Sequence, residues 1–287
     1  MTTRPTRATP GGRAYLDLRK AASEAGRPTD ELLQLYALEG LLDRLVGSAH
    51  ADRFVLKGGV LLAAFDARRP TRDIDLAAID LASDRDELRA MINEVLTVSS
   101  DDGLEFDPAS TTAEAVRDDA LYGGVRVTVH GSLSTALIQF HVDINLGDPL
   151  WPPPHEVEVP RVLGGSPIRI RGYSVELVLA EKIVTALQRG TANTRWRDFV
   201  DIANLARRGV DDRILVESIR RVAAFRQAPI QPLRGVLAGY PEIAQQRWAA
   251  WRRKQGLAAT TPVRFEDVLS EVLAFAEPLL DQAAVQR

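Results

Sequence analysis

A chain of 287 residues with 45% hydrophobic content can bury a large core as one domain or two, and a net charge of −3 with a pI near 5.9 excludes a globally basic nucleic-acid binder, leaving only a local patch for such a partner. The absence of cysteine excludes disulfides, thiol catalysis and cysteine metal sites, and His50, His130, His141 and His155 show no ligand spacing. No apolar run reaches the ~18 residues of a membrane span and no signal-peptide core precedes residue 30, so a cytoplasmic protein with no membrane partner is expected.

Residues 1–12 alternate Thr, Arg, Pro and Gly and read as a disordered arm. Residues 14–25 and 30–45 carry helical apolar spacing, the second with Thr29 as its N-cap. Residues 54–56 form a short apolar strand ending at Lys57-Gly58-Gly59, and the unbroken run 60–65 then reads as a helix. Glycines at a helix start let backbone N–H groups approach an anion, and the positive helix end favours phosphate. After the turn Arg69-Pro70-Thr71, the segment Asp73-Ile74-Asp75-Leu76 alternates polar and apolar, which puts Asp73 and Asp75 on one face of a strand. Adjacent carboxylates repel unless a cation sits between them, and oxygen-only ligands suit Mg²⁺ or Mn²⁺. Taken alone, such a pair is more often a solvated strand face; the glycine turn and a third carboxylate downstream favour the metal.

Residues 83–98 read as a helix with Leu88, Met91, Ile92, Val95 and Leu96 on one side, and Asp101 and Asp102 as a solvated loop. Residues 122–130 and 136–146 read as strands joined by a turn at His130-Gly131-Ser132. In the second, Ile138, Phe140, Val142, Ile144 and Leu146 alternate with Gln139, His141, Asp143 and Asn145. Asp143 completes a three-carboxylate site if this strand neighbours the Asp73 strand, and Asp148 is the competing candidate. Prolines 152–154 and Gly164-Gly165 break the pattern, extended pieces follow at 157–159 and 168–170, and a boundary is placed near Gly172.

From Ser174 the pattern is helical. In residues 174–188, Lys182 falls in the middle of an apolar stripe formed by Val175, Val178, Leu179, Ile183, Ala186 and Leu187, so it requires a carboxylate partner or an anion-binding cleft. Asp198, on the next helix at 195–208, is a candidate partner. Further helices are expected at 212–225, 243–254 and 262–284, the last capped by Thr261-Pro262, and residues 247–254 mix arginines with tryptophans in a face suited either to an RNA backbone or to packing.

These residues together resemble a known family, the nucleotidyltransferase toxins of the AbiEii and MenT type. The resemblance is carried by Lys57-Gly58-Gly59, Arg72-Asp73-Ile74-Asp75-Leu76, Asp143, Glu181-Lys182 with Arg189, and Arg197-Asp198-Phe199-Val200-Asp201-Ile202. It implies an α/β (α+β) fold: a DNA polymerase β-like nucleotidyltransferase domain with a mixed sheet over residues 13–171, then a helical C-terminal domain over 172–287. It implies a toxin of a toxin–antitoxin pair that uses NTP and two Mg²⁺ or Mn²⁺ ions. In the MenT branch the implied reaction adds nucleotides, often pyrimidine, to the 3′ end of tRNA and blocks aminoacylation. The implied partners are tRNA and a cognate antitoxin, with a monomer favoured. Asp73, Asp75 and Asp143 match the metal ligands, Gly58 and Gly59 the phosphate turn with Lys57 and Arg72 beside it, Lys182 the triphosphate-facing lysine and Asp198 the acid of the last motif. Gly59 stands where broader nucleotidyltransferases show serine, and Val60 where threonine is common. The alternatives are a same-fold enzyme that modifies a protein or small-molecule hydroxyl, and a non-catalytic nucleotide-binding module. Thr71, two residues before Asp73, is a candidate regulatory phosphorylation site, because added negative charge there repels the triphosphate.

Overall fold

The structure, a computed structural model, describes residues 4–117 and 123–285. Tyr122, the expected first residue of a strand, lies outside them. The chain divides into two units: residues up to Gly147 with Pro154–Gly172, and Asp148–Pro153 with the chain from Tyr173 onward.

The first unit opens with helices α1 (Pro10–Glu24) and α2 (Thr29–Val46). Helix α1 starts inside the expected disordered arm. Thr9 caps it by accepting the Gly12 N–H at 3.1 Å, and Pro10 occupies a first-turn position that needs no donor. In α2 the cap position belongs to Pro28 rather than Thr29, and Asp30 and Glu31 in the first turn complement the helix dipole instead.

Strand β1 (Phe54–Lys57) leads into a single turn, α3 (Gly58–Leu61), and a 3-10 turn at Leu62–Phe65, so the expected helix 60–65 is short and broken. Then come β2 (Asp73–Ala78), α4 (Arg85–Leu96), β3 (Leu104–Phe106), β4 (Thr112–Arg117), β5 (Gly123–Leu133), β6 (Ala136–Leu146), β7 (His155–Val159) and β8 (Ile168–Gly172). Among the described residues they build one mixed sheet ordered β3-β5-β6-β2-β1-β8-β7, with β4 also pairing β5. The β2–β6 and β1–β8 pairs are parallel; β1–β2, β5–β6 and β7–β8 are antiparallel. Ile74, Leu76, Val142 and Ile144 are fully buried, so one side of the central strands packs into the core while Asp73, Asp75 and Asp143 occupy the other. Strand β5 continues through Gly131 and Ser132, where a turn was expected; the hairpin closes instead at Ser134, in the left-handed region at φ 55°. Asp102 is not a solvated loop residue: both its oxygens bind Arg44 of α2, at 2.5 and 3.1 Å, and it accepts the Leu104 N–H at 2.9 Å.

The second unit comprises α5 (Val175–Arg189), capped by Ser174, then α6 (Trp196–Ala206), α7 (Asp212–Phe225), α8 (Leu233–Val236), α9 (Tyr240–Lys254) and α10 (Phe265–Val285). Its centre is aromatic: Phe265 meets Trp196, Phe199 and Tyr240 edge-on at 5.4, 5.3 and 5.2 Å between ring centroids. Residues 148–153 join this unit because Ser218 donates to the Trp151 carbonyl at 3.1 Å and Arg221 lies over the Trp151 ring. The basic–aromatic stretch of α9 is divided: Arg247, Arg253 and Lys254 are exposed, whereas Trp248 is buried, and Arg252, also buried, donates to the Thr261 hydroxyl and to the Ala258 and Thr261 carbonyls. Those contacts hold residues 258–262 out of helix, so α10 begins at Phe265 rather than Pro262.

Candidate active site

The glycine turn is shaped around Asp75. Gly58 sits at φ +65°, and a Cβ there would overlap the Asp75 carboxylate; Gly59 then donates its N–H to Asp75 Oδ2 at 3.3 Å. The close approach of backbone that the sequence suggested for phosphate is thus made, in this structure, to a carboxylate.

Strand register aligns the other charges. Lys57 pairs with Asp75 across β1–β2, Asp75 with Asp143 across β2–β6, Asp143 with Arg126 across β5–β6, and Arg126 with Glu114 across β4–β5. Residues directly opposite in a ladder project to the same face, so five charged side chains form one row from Lys57 to Glu114: base, acid, acid, base, acid. The neighbouring row on that face is Asp73, His141, Thr128 and Thr112. Arg126 grips Asp143 with Nε and Nη2 at 2.7 and 2.8 Å, and His141 Nδ1 lies 3.0 Å from Asp73 Oδ1.

Burial pushes the Asp75 carboxyl above the ordinary range, and the charge of Asp143 adds to this; Lys57, the Gly59 N–H and Arg69 oppose it. The hydrogen bonds to Asp143 hold Arg126 still more firmly protonated. Asp148, the competitor for the third acid, lies beyond the end of β6 and accepts the Tyr173 hydroxyl at 3.2 Å, whereas Asp143 shares a rung with Asp75. Thr71 is buried, donates to the Asp73 carbonyl at 3.4 Å and abuts Gly59, so a kinase reaches it only if this segment opens. The Arg72 side chain is exposed, and its carbonyl accepts Gln34 Nε2 at 3.2 Å.

The second unit holds the remaining candidates. Lys182 Nζ donates to Asp198 at 2.7 Å and to Asp201 at 2.8 Å, both acids lying one turn apart on α6. A lysine in an apolar stripe thus finds two carboxylates, the expected partner Asp198 and, beside it, Asp201.

A divalent cation fits Asp73 and Asp75 chemically: both are oxygen donors, and a positive ion would offset the burial, and the charge of Asp143, that raise Asp75. Among the described residues no three His, Asp or Glu side chains form a group arranged to hold a metal ion; Asp143 is turned onto Arg126, and Asp73 meets His141.

A sequence model described as nucleotidyl transferase AbiEii toxin, type IV toxin–antitoxin system, matches residues 40–271. The chain belongs to the AbiEii nucleotidyltransferase toxin family. Its fold is similar to that of MenT4, a nucleotidyltransferase toxin of Mycobacterium tuberculosis, at 19% identity over 94% of this chain and 97% of that one, with a TM-score of 0.53. It is also similar to JHP933 of Helicobacter pylori, at 13% identity over 88% and 93% of the two chains and a TM-score of 0.50. A search of curated proteins found no match. Membership in the AbiEii family makes the chain a nucleotidyltransferase toxin with a cognate antitoxin, in a family that generally uses NTP and a divalent metal. Among the described residues no helix is long and apolar enough to cross a membrane.

Two side chains that meet the candidate acids are not marked out by the sequence: Arg126, which holds Asp143, and His141, which meets Asp73. Both lie at alternate positions of strands whose polar face was visible, but only the register shows which acid each one meets.

Proposed function

We propose that this AbiEii-family protein transfers a nucleoside monophosphate, with a pyrimidine preferred, from NTP to the 3′ hydroxyl of tRNA in a Mg²⁺-dependent reaction, so that the tRNA cannot be aminoacylated. The observation that carries this is the placement of Asp73, Asp75 and Asp143 on adjoining positions of β2 and β6, opposite the Gly58-Gly59 turn. A bond forms between the ribose 3′ oxygen and the α-phosphorus, the bond to the β-phosphate oxygen breaks, and pyrophosphate leaves while the hydroxyl loses its proton. Mg²⁺ held by Asp73 and Asp75 would neutralise phosphate charge and acidify the hydroxyl. For Lys182, fixed between Asp198 and Asp201, we propose the role its motif implies, a positive charge for the triphosphate. Lys57, Gly58, Gly59 and Arg72 serve the nucleotide, and a phosphate on Thr71 would oppose it. The protein acts as a cytoplasmic monomer. Incubation with total RNA and each labelled NTP in turn tests this: label should enter the tRNA fraction, with CTP or UTP the best donor. Label appearing instead in protein or small molecules would assign the acceptor to another hydroxyl.

A further inference from the structure

The cross-sheet row contains one feature that nucleotide transfer does not use. Arg126 occupies both oxygens of Asp143, and the pair is only partly exposed, with 32% and 22% of the two side chains accessible. A bidentate guanidinium–carboxylate pair is a strong, geometrically fixed interaction, and a dication on the same carboxylate would sit beside a fixed positive charge. Arg126 also has an alternative acid, because Glu114 stands directly opposite it on β4 and contributes to its electrostatics. The structure holds the guanidinium on Asp143, and the register leaves Glu114 as a second acid toward which it could turn, releasing Asp143 beside Asp75.

We propose that Arg126 is a built-in competitor of the divalent cation: it neutralises Asp143 in the metal-free protein, and it must let go, with Glu114 as its acceptor, before the third acid joins the site. This rests on the nucleotidyltransferase reading, since it presumes that a cation binds at Asp73 and Asp75. The consequence is that cation affinity in the parent is set below what three free acids would give, so that the site fills together with nucleotide-bound metal rather than from free metal alone.

Equilibrium binding of Mn²⁺ to the full chain, read from the paramagnetic resonance of the free ion, tests this without reference to activity. Arg126→Gln should bind Mn²⁺ about tenfold more tightly than the parent, the scale of one charge-assisted hydrogen bond. Arg126→Lys, which keeps the charge but loses the fork, should fall between them and covers the case that the glutamine variant does not fold. Glu114→Gln should bind more weakly than the parent. Equal or weaker Mn²⁺ binding by both Arg126 variants, with the parent still binding, would overturn this inference alone. A parent that binds no Mn²⁺ would overturn it together with the cation-dependent reading of the site.

Discussion

Asp143 lies directly across the parallel β2–β6 ladder from Asp75, and each is matched by a cation on its outer side, Arg126 and Lys57. The paired acids are thus tolerated in the metal-free fold because they are bracketed; burial first, and the charge of Asp143 second, still raise the Asp75 carboxyl. A site assembled this way is electrostatically poised: its acids lie together without collapsing the sheet, and adding positive charge improves it.

The raised Asp75 sets the first expectation. An acid whose folded pKa exceeds its unfolded value destabilises the fold when ionised; the penalty is complete above the folded pKa and vanishes below the ordinary carboxylate value of about 4. Asp75→Asn should therefore be more stable than the parent to urea at neutral pH in chelator, and the gain should shrink as the pH falls through the acid range. The same variant should lose at least about 100-fold in transfer, as expected for loss of a charge-bearing ligand. Parallel unfolding curves at pH 4 and pH 7 check the first part, and a gain that grows on acidification would contradict it.

Gly58 cannot be replaced cheaply. Its φ of +65° and its closeness to the Asp75 carboxylate mean that Gly58→Ala meets both backbone strain and overlap. A loss of about 2 kcal/mol in urea unfolding, with reduced transfer, is expected. Gly164, also at positive φ but with open space around it, is the control: its alanine variant should lose stability without losing transfer.

Lys182 holds two acids of α6 together. Lys182→Met leaves Asp198 and Asp201 facing each other without their ammonium, which should cost about 3 kcal/mol of stability as well as activity. Adding Asp201→Asn to that variant should recover part of the stability and none of the activity. Calorimetric melting of the three proteins separates the two effects.

Glu39 is an independent structural test. It is buried at 3% exposure on α2, accepts the Val162 N–H with both oxygens at 3.0 Å and pairs with Arg68 at 3.0 Å. It thereby ties α2 to the residues preceding β2 and to the loop after β7. Burial raises its carboxyl, and these partners only partly offset that. Glu39→Ala should cost about 1–3 kcal/mol, because the Val162 N–H loses its acceptor while Arg68 keeps the Pro160 carbonyl. Urea midpoints at neutral pH measure this.

Much of the central architecture was legible because it is local. The alternation in 136–146 gave β6 its bounds, and the period of two placed Asp73 and Asp75 on one face before any neighbour was known. The lysine in the apolar stripe at 182 calls for a carboxylate partner or an anion-binding cleft, and Asp198 and Asp201 supply the first of these. What stayed hidden depends on register, which the sequence does not encode locally: the pairing of Asp143 with Asp75, the grip of Arg126, and the contact of His141 with Asp73. Strands β3 and β4 carry too few alternations to read, and Asp102 looked solvated because its partner, Arg44, lies on a distant helix.

The most direct test of the central claim is transfer to tRNA whose 3′ end has been chemically altered. Purified tRNA, intact or oxidised with periodate so that the 3′ hydroxyl is lost, is incubated with α-labelled NTP and Mg²⁺, using the parent and Asp75→Asn. Label should enter only intact tRNA and only with the parent; label on oxidised tRNA, or parental rates from Asp75→Asn, would contradict the account.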